Sequence, residues 1–70
     1  MQNMNEQKTG SLIRQLRLKE GWTQKELGSK IGISDKAISK WERGLSFPDI
    51  TLLPRLADVF HVTAGEIISG

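Results

Sequence analysis

Residues 24–43, QKELGSKIGISDKAISKWER, carry the pattern that decides the fold. Leu27, Ile31, Ile33, Ile38 and Trp41 are large apolar residues in it, Gly28 is small, and Gly32 stands between two helix-like stretches. Leu27 and Ile31, four apart, share one face of a helix. Gly32 ends that helix, because a left-handed backbone there suits glycine and few other residues. Ile33 turns inward, and Ser34 caps a second stretch with Asp35 in its first turn, where a carboxylate suits the helix dipole. Two short helices crossing at a sharp turn satisfy this set. That arrangement is the usual way a small protein sets a helix into the major groove of DNA.

Advancing about 100° per residue divides the helix after Ser34 into two arcs. Ala37, Ile38 and Trp41 fall on one side; Asp35, Lys36, Ser39, Lys40 and Arg43 fall on the other, with Glu42 at the border. The apolar arc assigns Trp41 to the core rather than to stacking on bases. Gly44 stops the helix. Upstream, Thr23 followed by Glu26 fits a capping box at the start of the helix containing Leu27. Gly28 is unfavourable in a helix by about 1 kcal/mol relative to alanine. Its presence predicts close approach of another helix.

Working outward, a first helix is expected from an N-cap at Thr9 to a stop at Gly21, with Leu12, Ile13 and Leu16 on one stripe and Arg17 at its edge. Residues 1–8 lack apolar periodicity and are expected to form a mobile tail, leaving 9–70 as the domain. Leu45–Ile50 reads as a loop. Its Leu45, Phe47 and Ile50 either close the edge of the core or form an exposed apolar patch that meets a partner. A fourth helix is expected with Thr51 as its cap, which puts Pro54 in the first turn, where its missing N–H is not needed. A start at Asp49 would bury Pro54 in the interior of the helix. Thr63 is expected to cap a short last helix carrying Ile67 and Ile68. The prediction is an all-α bundle of five short helices.

Seventy residues make one domain, close to the lower limit for folding without staples. There is no cysteine, so disulfides and thiolate metal sites are excluded, and the single histidine, His61, cannot build a zinc site alone. No run approaches the roughly 18 apolar residues of a membrane helix. The polar start MQNMNEQKTG is not a secretory signal, which makes the cytoplasm the expected location. Ten Lys/Arg against eight Asp/Glu give a net charge of +2, which permits nucleic-acid binding without arguing for it. No nucleophile–base pair, metal cluster or phosphate-cradling loop is visible. His61 has only Asp58 nearby as an acidic neighbour. An enzyme is not expected, nor is any cofactor.

The segment GWTQKELGSKIGISDKAISKWERG, followed by LLPRLADVFHV, resembles the phage-repressor-like helix-turn-helix proteins of the Cro/Xre type. The resemblance covers roughly residues 9 to 69. It implies a lambda-repressor-like five-helix domain whose second and third helices form the DNA-reading pair. Gln24 matches a position that touches phosphate, and Ser34 a phosphate-contacting cap. Asp35, Lys36, Ser39 and Lys40 match positions that reach base edges; Arg43 flanks the backbone. Arg17 and Glu42 match a salt bridge between the first and third helices. Gly28 stands where alanine is more usual. Gly65–Glu66 replaces a more apolar pair, and the loop 45–49 lacks Lys and Arg. The ending EIISG falls where longer members begin a linker.

From these residues follows an expected sequence-specific binder of double-stranded DNA. Either lysine can donate to guanine O6 or N7, and Ser39 can donate or accept. Asp35 serves as a dipole partner in preference to an acceptor from cytosine. A homodimer on a near-palindromic operator is expected, because one such domain buries too little for high specificity. Val62, Ile67 and Ile68 are candidates for its interface or, equally, for the core. The alternative is a protein-interaction module such as an antitoxin or a regulator controlled by a protein partner, suggested by the apolar loop and modest charge.

Overall fold

A computed structural model describes residues 6–69. Within them lie α1 (Glu6–Glu20), α2 (Gln24–Ile31), α3 (Asp35–Glu42), a 3-10 turn (Ile50–Leu52), α4 (Leu53–Phe60) and α5 (Ala64–Ser69). No strand occurs among the described residues. α1 packs against α3 and α5, α2 against α3 and α4, and α4 against α5.

The core is mostly the set that the helical period selects, but of the stripe expected on α1 only Ile13 is buried, Leu16 packs half-buried against it and Leu12 lies outside the cluster. Ile13 comes from α1, Leu27 and Ile31 from α2, Ile38 and Trp41 from α3, Leu53, Leu56, Ala57 and Phe60 from α4, and Ile67 from α5. Each large apolar side chain buried there contributes about 1.5–3 kcal/mol. Ile67 is fully buried, so it belongs to the core and is not available as an interface residue. Val62 and Ile68 are half-buried and pack on the same cluster. Trp22 stacks on Phe60 with ring centroids 5.8 Å apart, and Lys30 Nζ sits 4.5 Å from the Trp22 ring centroid.

Local caps set most of the boundaries. Thr23 and Glu26 form the reciprocal capping box, with Glu26 N–H donating to Thr23 Oγ1 and Thr23 N–H donating to Glu26 Oε1. Thr63 and Glu66 repeat that exchange at α5. Glu66 thus gives the short last helix its start. His61 closes α4 in the left-handed region with φ 58°, and its imidazole is exposed.

Two expected starts are displaced. α1 begins at Glu6, so Glu6–Lys8 are helical and only residues 1–5 of the expected tail lie outside the described residues. Thr9 is not a cap. It is buried inside α1, and its hydroxyl donates to the carbonyls of Ile67 (2.9 Å) and Ile68 (3.3 Å), tying the first helix to the last. Thr51 does not cap α4, whose N-cap is Leu52 with no side-chain bond; Asp49 caps the 3-10 turn before it, the Thr51 N–H and hydroxyl both donating to Asp49 Oδ1. The backbone bond first, then the hydroxyl bond, holds the Asp49 carboxyl below its ordinary pKa. Its contribution is therefore complete above the ordinary carboxylate pKa and is lost as pH falls through the lowered one. The 3-10 turn lets the chain restart at Leu53, which leaves Pro54 in the first turn of α4 as expected.

Gly10 marks a close approach between α1 and α3. A Cβ there would collide with the Trp41 carbonyl of α3. Gly65 is different, since a Cβ would meet only Thr63 Oγ1 at 3.8 Å. In a helix interior alanine normally exceeds glycine by about 1 kcal/mol. Here Gly10→Ala is expected to invert that preference and destabilise by about 1–3 kcal/mol, the range for overpacking. Gly65→Ala should be neutral or stabilising. Urea midpoints of the two variants check this; a Gly10→Ala protein as stable as the native one contradicts the close crossing.

Candidate nucleic-acid interface

The turn between α2 and α3 is built from backbone constraints. Gly32 is left-handed with φ 76°, and its N–H and that of Ile33 both donate to the Gly28 carbonyl. Gly28 is required at this spot because a Cβ would strike the Ile33 carbonyl. The close neighbour is therefore the turn itself, not the other helix that the sequence suggests.

Ser34 caps α3, its Oγ accepting from the Ala37 N–H at 3.2 Å. The hydroxyl proton is left free to donate to an anion. Asp35, Lys36 and Lys40 are exposed, and no hydrogen bond or ion pair engages their side chains among the described residues. The two lysines, four apart, lie along one edge of α3. Ser39 is half-buried and already engaged. Arg43 Nε donates to its hydroxyl at 3.2 Å and to its carbonyl at 3.3 Å. Arg43 thereby folds back along the end of α3.

Behind that face, Arg17 and Glu42 join α1 to α3. Arg17 Nε donates to Glu42 Oε2 at 2.6 Å, and Nη2 donates to Oε1 at 2.9 Å. The side chains are only 10% and 4% exposed, so this is a buried pair rather than a surface one. The bond to Glu42 raises the Arg17 pKa above its already high ordinary value, against the opposing effect of burial. Two further partners complete the cluster. Arg17 Nη1 donates to the Trp22 carbonyl at 2.7 Å, and Gln24 Nε2 donates to Glu42 Oε1 at 3.1 Å. Gln24, matched to a phosphate-touching position, is thus held by the pair and keeps a second Nε2 hydrogen for another acceptor. No buried side-chain nitrogen or oxygen among the described residues lacks a partner.

Lys25, absent from the candidates read in the sequence, lines a shallow crevice with Ser29, Ser34 and Asp35 across the turn. Its place in the first turn of α2, beside Gln24, was the available signal. The apolar loop divides: Pro48 is buried and Phe47 half-buried, whereas Leu45 is 62% and Ile50 73% exposed. No group of three or more potential metal ligands occurs among the described residues. No helix there is long and apolar enough to cross a membrane.

Comparison with known proteins places these elements in context. A helix-turn-helix family model matches residues 13–67. The HTH-type transcriptional activator BcrR of Enterococcus faecalis is 38% identical over 58 residues, covering 83% of this chain. The chain spans only 28% of BcrR's length. Among solved structures, the P22 c2 repressor protein in complex with synthetic operator 9T superposes with a TM-score of 0.84 at 32% identity, covering 89% of this chain and 94% of the repressor. The biofilm master regulator SinR in complex with DNA gives 0.76 at 30% identity, covering 84% and 95%.

Removal of one partner from a buried ion pair leaves the other charge desolvated and unpaired. Glu42→Ala is expected to lower the unfolding free energy by about 3 kcal/mol, the lower end of the cost of breaking such pairs. Replacing Arg17 and Glu42 together should cost less than the sum of the single losses. A double-mutant cycle in urea reads the coupling; strict additivity contradicts the pairing.

Proposed function

Because the chain belongs to the helix-turn-helix family, we propose that it binds double-stranded DNA sequence-specifically with α3 in the major groove and acts as a transcriptional regulator, repressing by occupying its operator. The observation that carries this is the unpartnered Lys36–Lys40 edge on a helix whose opposite face is locked into the core. Phosphate contacts set the register and base contacts specify. Gln24, Ser34, Lys25 and Arg43 take the phosphates. The second Gln24 amide hydrogen and the free Ser34 hydroxyl proton point this way. Lys36 and Lys40 read bases as donors to guanine. Asp35 acts chiefly on the α3 dipole. Ser39, held by Arg43, contributes its remaining hydroxyl proton.

A homodimer on a near-palindromic site supplies the specificity that one domain lacks, with half-sites about 34 Å apart. The exposed Leu45 and Ile50 favour a second reading beside this one, in which the loop after α3 meets a protein. Retardation of duplex DNA by the chain, abolished in Lys36→Ala/Lys40→Ala but kept in Leu45→Ser/Ile50→Ser, favours the first reading; the reverse pattern favours the second. The cytoplasm suits either role.

Selection of bound duplexes from a random pool tests the proposal most completely. The native chain should return one half-site repeated about one helical turn apart. Lys36→Ala and Lys40→Ala should each lose preference at a guanine, at about 1–3 kcal/mol per base. Affinity should fall steeply between about 50 and 200 mM salt as counterions are released on binding. An affinity indifferent to salt, or a pool that never converges, contradicts the proposal.

A further inference from the structure

Arg55 lies on α4, outside the helix pair and on the solvent side of the molecule, where helix periodicity alone leaves it without a task. Its guanidinium reaches across to α2: Nη1 donates to the Ile31 carbonyl at 3.2 Å. The same nitrogen lies 3.6 Å from where a Cβ of Gly32 would stand. Ile31 is the last residue of α2, and its carbonyl is one of the four that a helix end leaves without an intrahelical donor. The Gly28 carbonyl is satisfied within the turn by the Gly32 and Ile33 N–H groups. The Ile31 carbonyl is satisfied from another helix. A cation at this end also complements the negative pole of α2.

We propose that Arg55 is a positioning residue for DNA reading, a strut from α4 that fixes the α2–α3 turn and through it the angle at which α3 meets the groove. This rests on the DNA-binding role proposed above. The strut acts where the pair is least supported. Gly32 is exposed, and Ile33 and Ser34 link the two helices through three residues with no regular structure. The Arg17–Glu42 pair fixes the far end of α3, near Glu42; Arg55 fixes the near end, just ahead of Ser34. Loss of either leaves that end of α3 positioned by apolar packing alone. Arg55 is not assigned a phosphate contact, because it stands on α4, outside the helix pair.

The experiment combines amide hydrogen exchange without DNA and binding, at several salt concentrations, to the duplex that the native chain selects from a random pool, for native protein, Arg55→Ala and Arg55→Lys. In Arg55→Ala the Gly32 and Ile33 amides should exchange about three- to tenfold faster, the value of one lost hydrogen bond. Core amides of Ile13 and Leu56 should be unchanged. Operator affinity should fall by a similar factor with the slope of log K against log salt unaltered. Arg55→Lys, which keeps a donor and the charge, should recover part of both. Unchanged exchange at Gly32 and Ile33 overturns the strut. A salt slope reduced by about one, the signature of a lost phosphate contact, overturns it in favour of direct DNA binding. Failure of the underlying DNA-binding role looks different: the native protein would then retard no duplex, whatever the exchange rates.

Discussion

The bidentate bond between Arg17 and Glu42 is the constraint on which the rest of the arrangement depends. α3 has only eight residues and presents one narrow apolar face, through Ile38 and Trp41, to the core. Apolar packing is non-directional and would tolerate rotation of so short a helix. A planar guanidinium gripping a carboxylate through two parallel bonds does not. Glu42 sits at the last turn of α3, and Arg17 also grips the Trp22 carbonyl just ahead of α2. One arginine of α1 thus sets the relation of both helices of the pair. Gln24, bonded to the same carboxylate, is placed at the mouth of the pair by that cluster. Burial of two charges is costly, and this cost is offset because no buried side-chain polar atom of the cluster lacks a partner.

The same economy governs charge. A net charge of +2 is too small to argue for DNA by itself. What the fold does is sort the charges by position. Glu42 is neutralised internally, Glu26 and Glu66 are spent on capping boxes, and Asp49 caps the turn before α4. Lys36 and Lys40 are left uncommitted on the outward edge of α3. Four carboxylates are thus engaged in holding the fold, and Asp35, in the first turn of α3, is the one left exposed beside the lysines.

What could be read in the sequence was mostly local. The Thr23–Glu26 box, the Thr63 cap, the Gly32 stop and the Ser34 cap are decided by residues within four positions, and the structure has each of them, adding at Thr63 the reciprocal bond from Glu66 that the sequence reading did not include. The apolar arcs of α3 and α4 follow from the helical period and give most of the core. What escaped lies between residues distant in the chain. Thr9 has the look of a cap beside Gly10, yet its partners are 58 and 59 residues away. Gly10 is fixed by the backbone of Trp41, and Arg55 by a carbonyl 24 residues earlier. The Arg17–Glu42 bond came only through family resemblance, since charge spacing cannot pair residues on separate helices. The Asp49 cap was missed because Pro54 forbade a continuous α-helix from that point; a 3-10 turn resolves the conflict.

The central claim is that α3 reads DNA because the buried pair orients it, and the affinity of Glu42→Ala for the operator tests this most directly. The dissociation constant is measured on the duplex selected by the native chain, at a temperature where circular dichroism shows the variant fully folded. The account predicts weakening of about tenfold, equivalent to about 1.4 kcal/mol, although Glu42 is sealed behind the face that meets the groove. An unchanged dissociation constant in a folded Glu42→Ala protein would contradict it.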